Sequence, residues 1–144
     1  SGKALAKSLK EALAMAPIPT QPAAADLIDT DLLAELFETL GPERGLDMLS
    51  KFMAATDAEV PGIVARIKGG TTPLTESQRE VHKLAGSAAI FGAKALGAAL
   101  RRMETACKAS DAATLAAEAE DLAQIWAQSR AALLAHHATE IAKG

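Results

Sequence analysis

The sequence predicts an all-α fold, an up-and-down four-helix bundle with an additional short N-terminal helix. Three observations carry that expectation. Alanine and leucine supply most of the apolar mass, while aromatic residues make up only 3% and tyrosine is absent, which favours helices over sheets. Apolar residues recur at spacings of three and four along the chain, and no stretch of useful length alternates with period two. Glycine and proline clusters separate the periodic stretches at intervals suited to helices. With 144 residues, 49% of them hydrophobic, the chain can build one domain with a real core but not two comfortable ones.

The elements follow in order. Residues 4–15 place leucines at 5, 9 and 13 among lysines and alanines, the spacing of a short helix. It reads as a solvated extension over 1–16, or alternatively as a helix that meets a partner or a membrane surface. The stretch "PIPTQPAAA" has too many prolines for a helix and reads as a linker over 17–26. The bundle domain then spans 27–141. Asp29 or Thr30 caps a helix with Leu32, Leu33, Leu36, Phe37 and Leu40 on one face, and Gly41-Pro42 stops it. The next helix carries Leu46, Leu49, Met53, Val60, Val64 and Ile67, with a kink or break expected at Pro61. After "GGTTPLTES", with Pro73 at a first helical position, Val81, Leu84, Ala88 and Phe91 face inward up to Gly92. Leu96, Leu100, Met103 and Cys107 form the next stripe. Leu115, Ala119, Leu122, Trp126 and Leu133 form the last, capped by Ser110 or Asp111.

Composition narrows the partners. A net charge of −3 and an isoelectric point near 5.6 argue against nucleic acid. No apolar run approaches the roughly 20 residues of a membrane span. The lone cysteine, Cys107, cannot form an internal disulfide, which fits a reducing, cytoplasmic setting. On its inward stripe it reads as a packed thiol more readily than as a redox sensor. The chain opens Ser1-Gly2 without a methionine, as a piece of a longer protein would. No metal site is expected: the adjacent His136 and His137 do not share a helix face, and Glu140 alone lies four residues after His136. That end reads as frayed and solvated. "RRME" (101–104) reads as a solvated rim rather than an anion site, and no paired carboxylates suggest acid–base chemistry.

One stretch asks for an explanation. In "VHKLAGSAAIFG" a histidine, His82, stands one turn before Gly86, although a mid-helix glycine costs about 1 kcal/mol relative to alanine. Helical spacing puts His82 beside Arg79, Ala85, Gly86 and Ala89, away from the 81/84/88 stripe. A bare patch of that kind lets another molecule reach the ring. Imidazole, largely neutral near pH 7, is a competent nucleophile towards phosphorus. Arg79 and Lys83 are candidates to offset the negative charge that an attached phosphoryl group brings. On spacing alone the alternative stands: a surface histidine without a task, with a glycine that lets a neighbouring helix pack close.

Residues 80–104, "EVHKLAGSAAIFGAKALGAALRRME", resemble the histidine phosphotransfer (HPt) domains of bacterial multistep phosphorelays. His82, Leu84, Gly86, Ser87, Gly92, Leu96, Met103 and Glu104 follow that family's pattern in order, and a weaker likeness extends over 27–135. The resemblance implies that His82 accepts a phosphoryl group from a receiver-domain aspartate and passes it to another. It implies receiver domains of response regulators or a hybrid histidine kinase as partners, with Mg²⁺ held by the receiver. No cofactor of this chain's own and no autonomous kinase activity are expected, and no ATP-binding glycine loop is present. Arg79, Lys83 and Ser87 are the expected supporting residues, and Ala85, Gly86 and Ala89 the surface of close approach. The family commonly has lysine where this chain has Ala85, which leaves room for a receiver-binding module without transfer, or for the phosphoacceptor module of a larger sensor kinase. Ile28 and Leu32 or Leu33 are guesses for the docking surface.

Overall fold

A computed structural model describes residues 24–143, and the helical extension expected over 1–16 lies outside them. Six helices follow one another: α1 (Ala24–Leu27), α2 (Thr30–Leu40), α3 (Pro42–Gly69), α4 (Leu74–Ile90), α5 (Lys94–Lys108) and α6 (Ala112–Lys143). Among the described residues there is no strand. Helices α3 to α6 pack each against the next in chain order, and α6 closes the ring on α3. α2 lies along α3, while α1 touches α5 and α6. The expected four-helix bundle is therefore present. Its entrance begins earlier than expected, because Ala24 to Asp26 are already helical rather than linker. Past the last proline the alanines favour helix, and Leu27 and Ile28 anchor that turn by burying their side chains.

The inward stripes explain the packing. Leu33 and Phe37, Leu49, Met53 and Val60, Val81 and Leu84, Leu96, Leu100 and Met103, and Leu122 and Leu133 form one buried cluster. Phe52 joins two helices to α3 by stacking on Phe91 at 4.8 Å and meeting Trp126 edge-on at 5.8 Å. Pro61 does not break α3, which runs on to Gly69. The ring is exposed to solvent, and Val60 and Ile63 on either side are both buried, so packing outweighs one lost backbone donor. Pro73 stands one residue before the helix, where its carbonyl accepts from the amides of Glu76 and Ser77. The caps are aspartates: Asp29 accepts from the Leu32 amide at 3.0 Å and Asp111 from the Thr114 amide at 3.0 Å. No helix of the described residues is long and apolar enough to cross a membrane.

Two fastenings fix the bundle. At the α4–α5 turn Gly92 has φ +67°, and its carbonyl accepts from the Asp29 amide at 2.8 Å, tying the start of α2 to the turn. On the far wall Asp57 of α3 accepts from the Trp126 indole at 2.8 Å and from Arg130 Nε at 2.9 Å. The Arg130 guanidinium holds the Asp57 carboxyl below its ordinary 3.8; burial opposes this and the Trp126 indole adds to it.

Three substitutions test the fold, two at these fastenings and one at the end of α3. Gly92→Ala puts a methyl 3.1 Å from the Asp29 carbonyl at a left-handed φ, and urea titration should show a loss of about 1–3 kcal/mol. Gly69→Ala meets open space at the end of α3 and should gain up to about 1 kcal/mol. Asp57→Asn should cost about 1 kcal/mol or less near neutrality, since the pair is partly exposed. The native Asp57 has a depressed pKa, so its contribution is full above the ordinary 3.8 and fades as pH falls below it. The gap between wild type and variant, followed by denaturation from pH 6 to pH 2, should close at the acid end.

Candidate functional site

Helix α4 sorts its side chains into two rows. Ser77, Val81, Leu84, Ala85 and Ala88 are buried, and Arg79, His82, Gly86 and Ala89 are exposed. The His82 side chain is 74% exposed, so its ring stands in solvent. A Cβ built on Gly86 meets nothing within 4 Å. The glycine is therefore not there to admit a neighbouring helix. Among the described residues nothing packs over it to offset its cost of about 1 kcal/mol, and the space above it is open.

Helix α5 supplies the second half of the site. His82 Nδ1 lies 2.9 Å from Glu104 Oε2, and Lys108 Nζ lies 3.6 Å from the same oxygen. A carboxylate only accepts, so Nδ1 carries the proton, and in the neutral ring Nε2 presents its lone pair. Among the described residues Nε2 has no hydrogen-bond partner. The Glu104 side chain is only 15% exposed, which holds the carboxylate in place while the ring it orients remains accessible. In its neutral form, an imidazole oriented in this way can act as a nucleophile through Nε2.

The expected supporting residues divide. Arg79, Gly86 and Ala89 share the outward row with His82. Ala85 does not belong to the surface of close approach: it is 4% exposed and packs in the core, because the interface with α5 covers position i+3. Lys83 and Ser87 line a groove between α3 and α4 with Met48, Phe52, Thr56 and Phe91, turned from the His82 row by the helical rotation of about 100° per residue. Of the docking guesses, Ile28 and Leu33 are buried. Leu32 is partly exposed and lines a cleft with Ala89, Ala98 and Arg101, directly along the row from His82.

Other expectations meet mixed outcomes. Cys107 is buried, and burial, with the nearby Glu104 charge, pushes its thiol pKa up. "RRME" is no uniform rim: Met103 is fully buried, Arg102 pairs with Glu118 at 2.9 Å, and Glu104 orients His82. The His136–His137 end is not frayed, since α6 continues to Lys143 and the His136 ring stacks on Phe37 at 6.1 Å. Among the described residues no three His, Cys, Asp or Glu side chains gather where they could hold a metal ion.

The sequence reading placed Glu104 in the family pattern but did not pair it with His82, and it did not single out Lys108. The signal was present in the hairpin register, because His82 and Glu104 are equidistant from Ala93 in the turn. Antiparallel helices joined by so short a turn bring equidistant positions side by side.

Comparison with known proteins bears on the fold and the family. The family model described as Hpt domain matches residues 47–139. A crystal structure of a candidate histidine-containing phosphotransfer protein from rice superposes with a TM-score of 0.69, covering 81% of this chain and 84% of the rice chain at 15% identity. At that identity the likeness is one of fold. No curated protein sequence matches the chain. If Glu104 fixes the tautomer, ¹⁵N NMR of the neutral His82 ring should place the proton on Nδ1, and Glu104→Ala should move a large share of it to Nε2.

Proposed function

This chain belongs to the Hpt domain family, and from that membership we propose that His82 is its phosphoacceptor, relaying a phosphoryl group between receiver-domain aspartates. The observation that carries the reading is an exposed imidazole whose Nδ1 is held by Glu104, beside a glycine with nothing over it.

The chemistry balances without a base. The Nε2 lone pair attacks the phosphorus of an aspartyl phosphate on a docked receiver. The N–P bond forms as the O–P bond breaks, and the aspartate leaves with the electron pair as a free carboxylate. Nε2 carried no proton, so none has to be removed. The ring gains positive charge in the step, and the Glu104 carboxylate at Nδ1 stabilises that charge as it develops. Transfer to a second receiver is the reverse reaction. Each receiver brings its own Mg²⁺ and acidic pocket; this chain brings the nucleophile and a docking surface. Gly86 and Ala89 leave the approach flat, and the cleft at Leu32, Ala98 and Arg101 continues it as a mixed apolar and charged contact area. Phosphohistidine relay of this kind is expected to take place in the cytoplasm.

A receiver domain charged with acetyl phosphate tests this. It should pass its phosphoryl group to the full chain within minutes at micromolar concentration, leaving an acid-labile, alkali-stable label. His82→Gln should abolish that label; a variant labelled as well as wild type would sink the assignment. Tight receiver binding without any label would favour the module that only binds. Gly86→Leu should raise thermal stability, by up to about 1 kcal/mol on helix propensity, yet slow labelling at least tenfold by standing over the ring.

A further inference from the structure

We infer that Lys108 is the cation that balances the phosphoryl group on His82, reaching it from the opposite helix; the inference rests on the phosphoacceptor reading above. A phosphoryl group on Nε2 places close to two negative charges on a ring whose other nitrogen already faces a carboxylate. Without a neighbouring cation the phosphorylated state carries a strong like-charge repulsion.

The helix of His82 supplies little to offset it. Ala85 has no charge and is covered. Lys83 turns into the groove between α3 and α4. Arg79 shares the row, but among the described residues it makes no hydrogen bond or ion pair that holds it towards the ring. Across the α4–α5 interface, Lys108 already stands at Glu104 Oε2, the same oxygen that His82 Nδ1 meets. It lies one turn along α5 from Glu104, on the same face. At 3.6 Å its contact is longer than a good hydrogen bond and its side chain is 62% exposed, so the ammonium can move from carboxylate to phosphoryl while Glu104 keeps His82 Nδ1 as a partner. Arg101 is the rival: exposed, one turn before Glu104, and opposite Ala85 in the hairpin register. It lines the cleft towards Leu32 and has no contact with Glu104 among the described residues, which fits it to a docking partner instead.

Lys108 is thus a positioning residue that sets how stable the phosphohistidine is. The test is the equilibrium constant for reversible transfer between the full chain and a receiver domain that labels wild type. Lys108→Gln should shift that constant three- to tenfold towards the receiver, while Lys108→Arg stays within twofold of wild type. The shift should shrink in about 1 M salt, where the screening length falls to about 3 Å. A purely structural role at the last turn of α5 predicts a lower melting temperature with an unchanged equilibrium, and that result overturns the inference. So does a shift seen with Arg101→Gln or Lys83→Gln but not with Lys108→Gln. Wild type that takes no label at His82 removes the phosphoacceptor reading itself; wild type that labels, with Lys108→Gln at the same equilibrium, removes only the role of Lys108.

Discussion

The site depends on one contact between two helices, the 2.9 Å approach of His82 Nδ1 to Glu104. A solvent-exposed imidazole on a lone helix would rotate about its side-chain bonds and exchange tautomers. Here a carboxylate on the neighbouring helix fixes both. That demands a precise axial register between α4 and α5, and much of the local sequence serves it. Gly92 takes the left-handed turn, and the Asp29 amide ties down its carbonyl. Buried Val81, Leu84, Leu100 and Met103 then prevent either helix from turning about its axis.

Charge is managed economically at this contact. Glu104 is mostly covered, and a covered carboxylate needs partners. It has two, His82 and Lys108, and both are exposed at their far ends. The negative charge is therefore compensated without burying a cation, and the imidazole keeps its reactive nitrogen in water. The far wall uses a different solution, in which Asp57 holds Trp126 and Arg130 and joins α3 to α6. That network fastens the long helices at a distance from the reactive face, so the two faces can vary separately.

Apolar periodicity revealed what depends on one helix at a time. The inward stripes of α4, α5 and α6 match the buried residues almost position for position, and His82 with Arg79, Gly86 and Ala89 falls on the outward row as the spacing requires. What failed depended on a second helix. Ala85 is adjacent to His82 on a helical wheel, yet α5 covers it. Lys83 and Ser87 belong to a groove that exists only because α3 stands beside α4. Ile28 and Leu33 look like surface candidates on a short amphipathic stretch until the α4–α5 turn closes over them. Pro61 signals a break locally, and the burial of Val60 and Ile63 overrides it. Glu104 sat in an apparently solvated run, and only the turn register could have paired it with His82.

Gly86 ties fold to function most directly. A glycine kept in a helix for internal packing has a neighbour against its Cα, as Gly45 has in the Phe37 ring. Gly86 has none among the described residues, where alanine would serve the helix better. It lies one turn from an exposed imidazole whose Nδ1 is held by Glu104, which puts the open space where a second molecule would approach Nε2. On the relay proposed above, this chain supplies the nucleophile and its orienting carboxylate, and a docked receiver supplies the phosphoryl group.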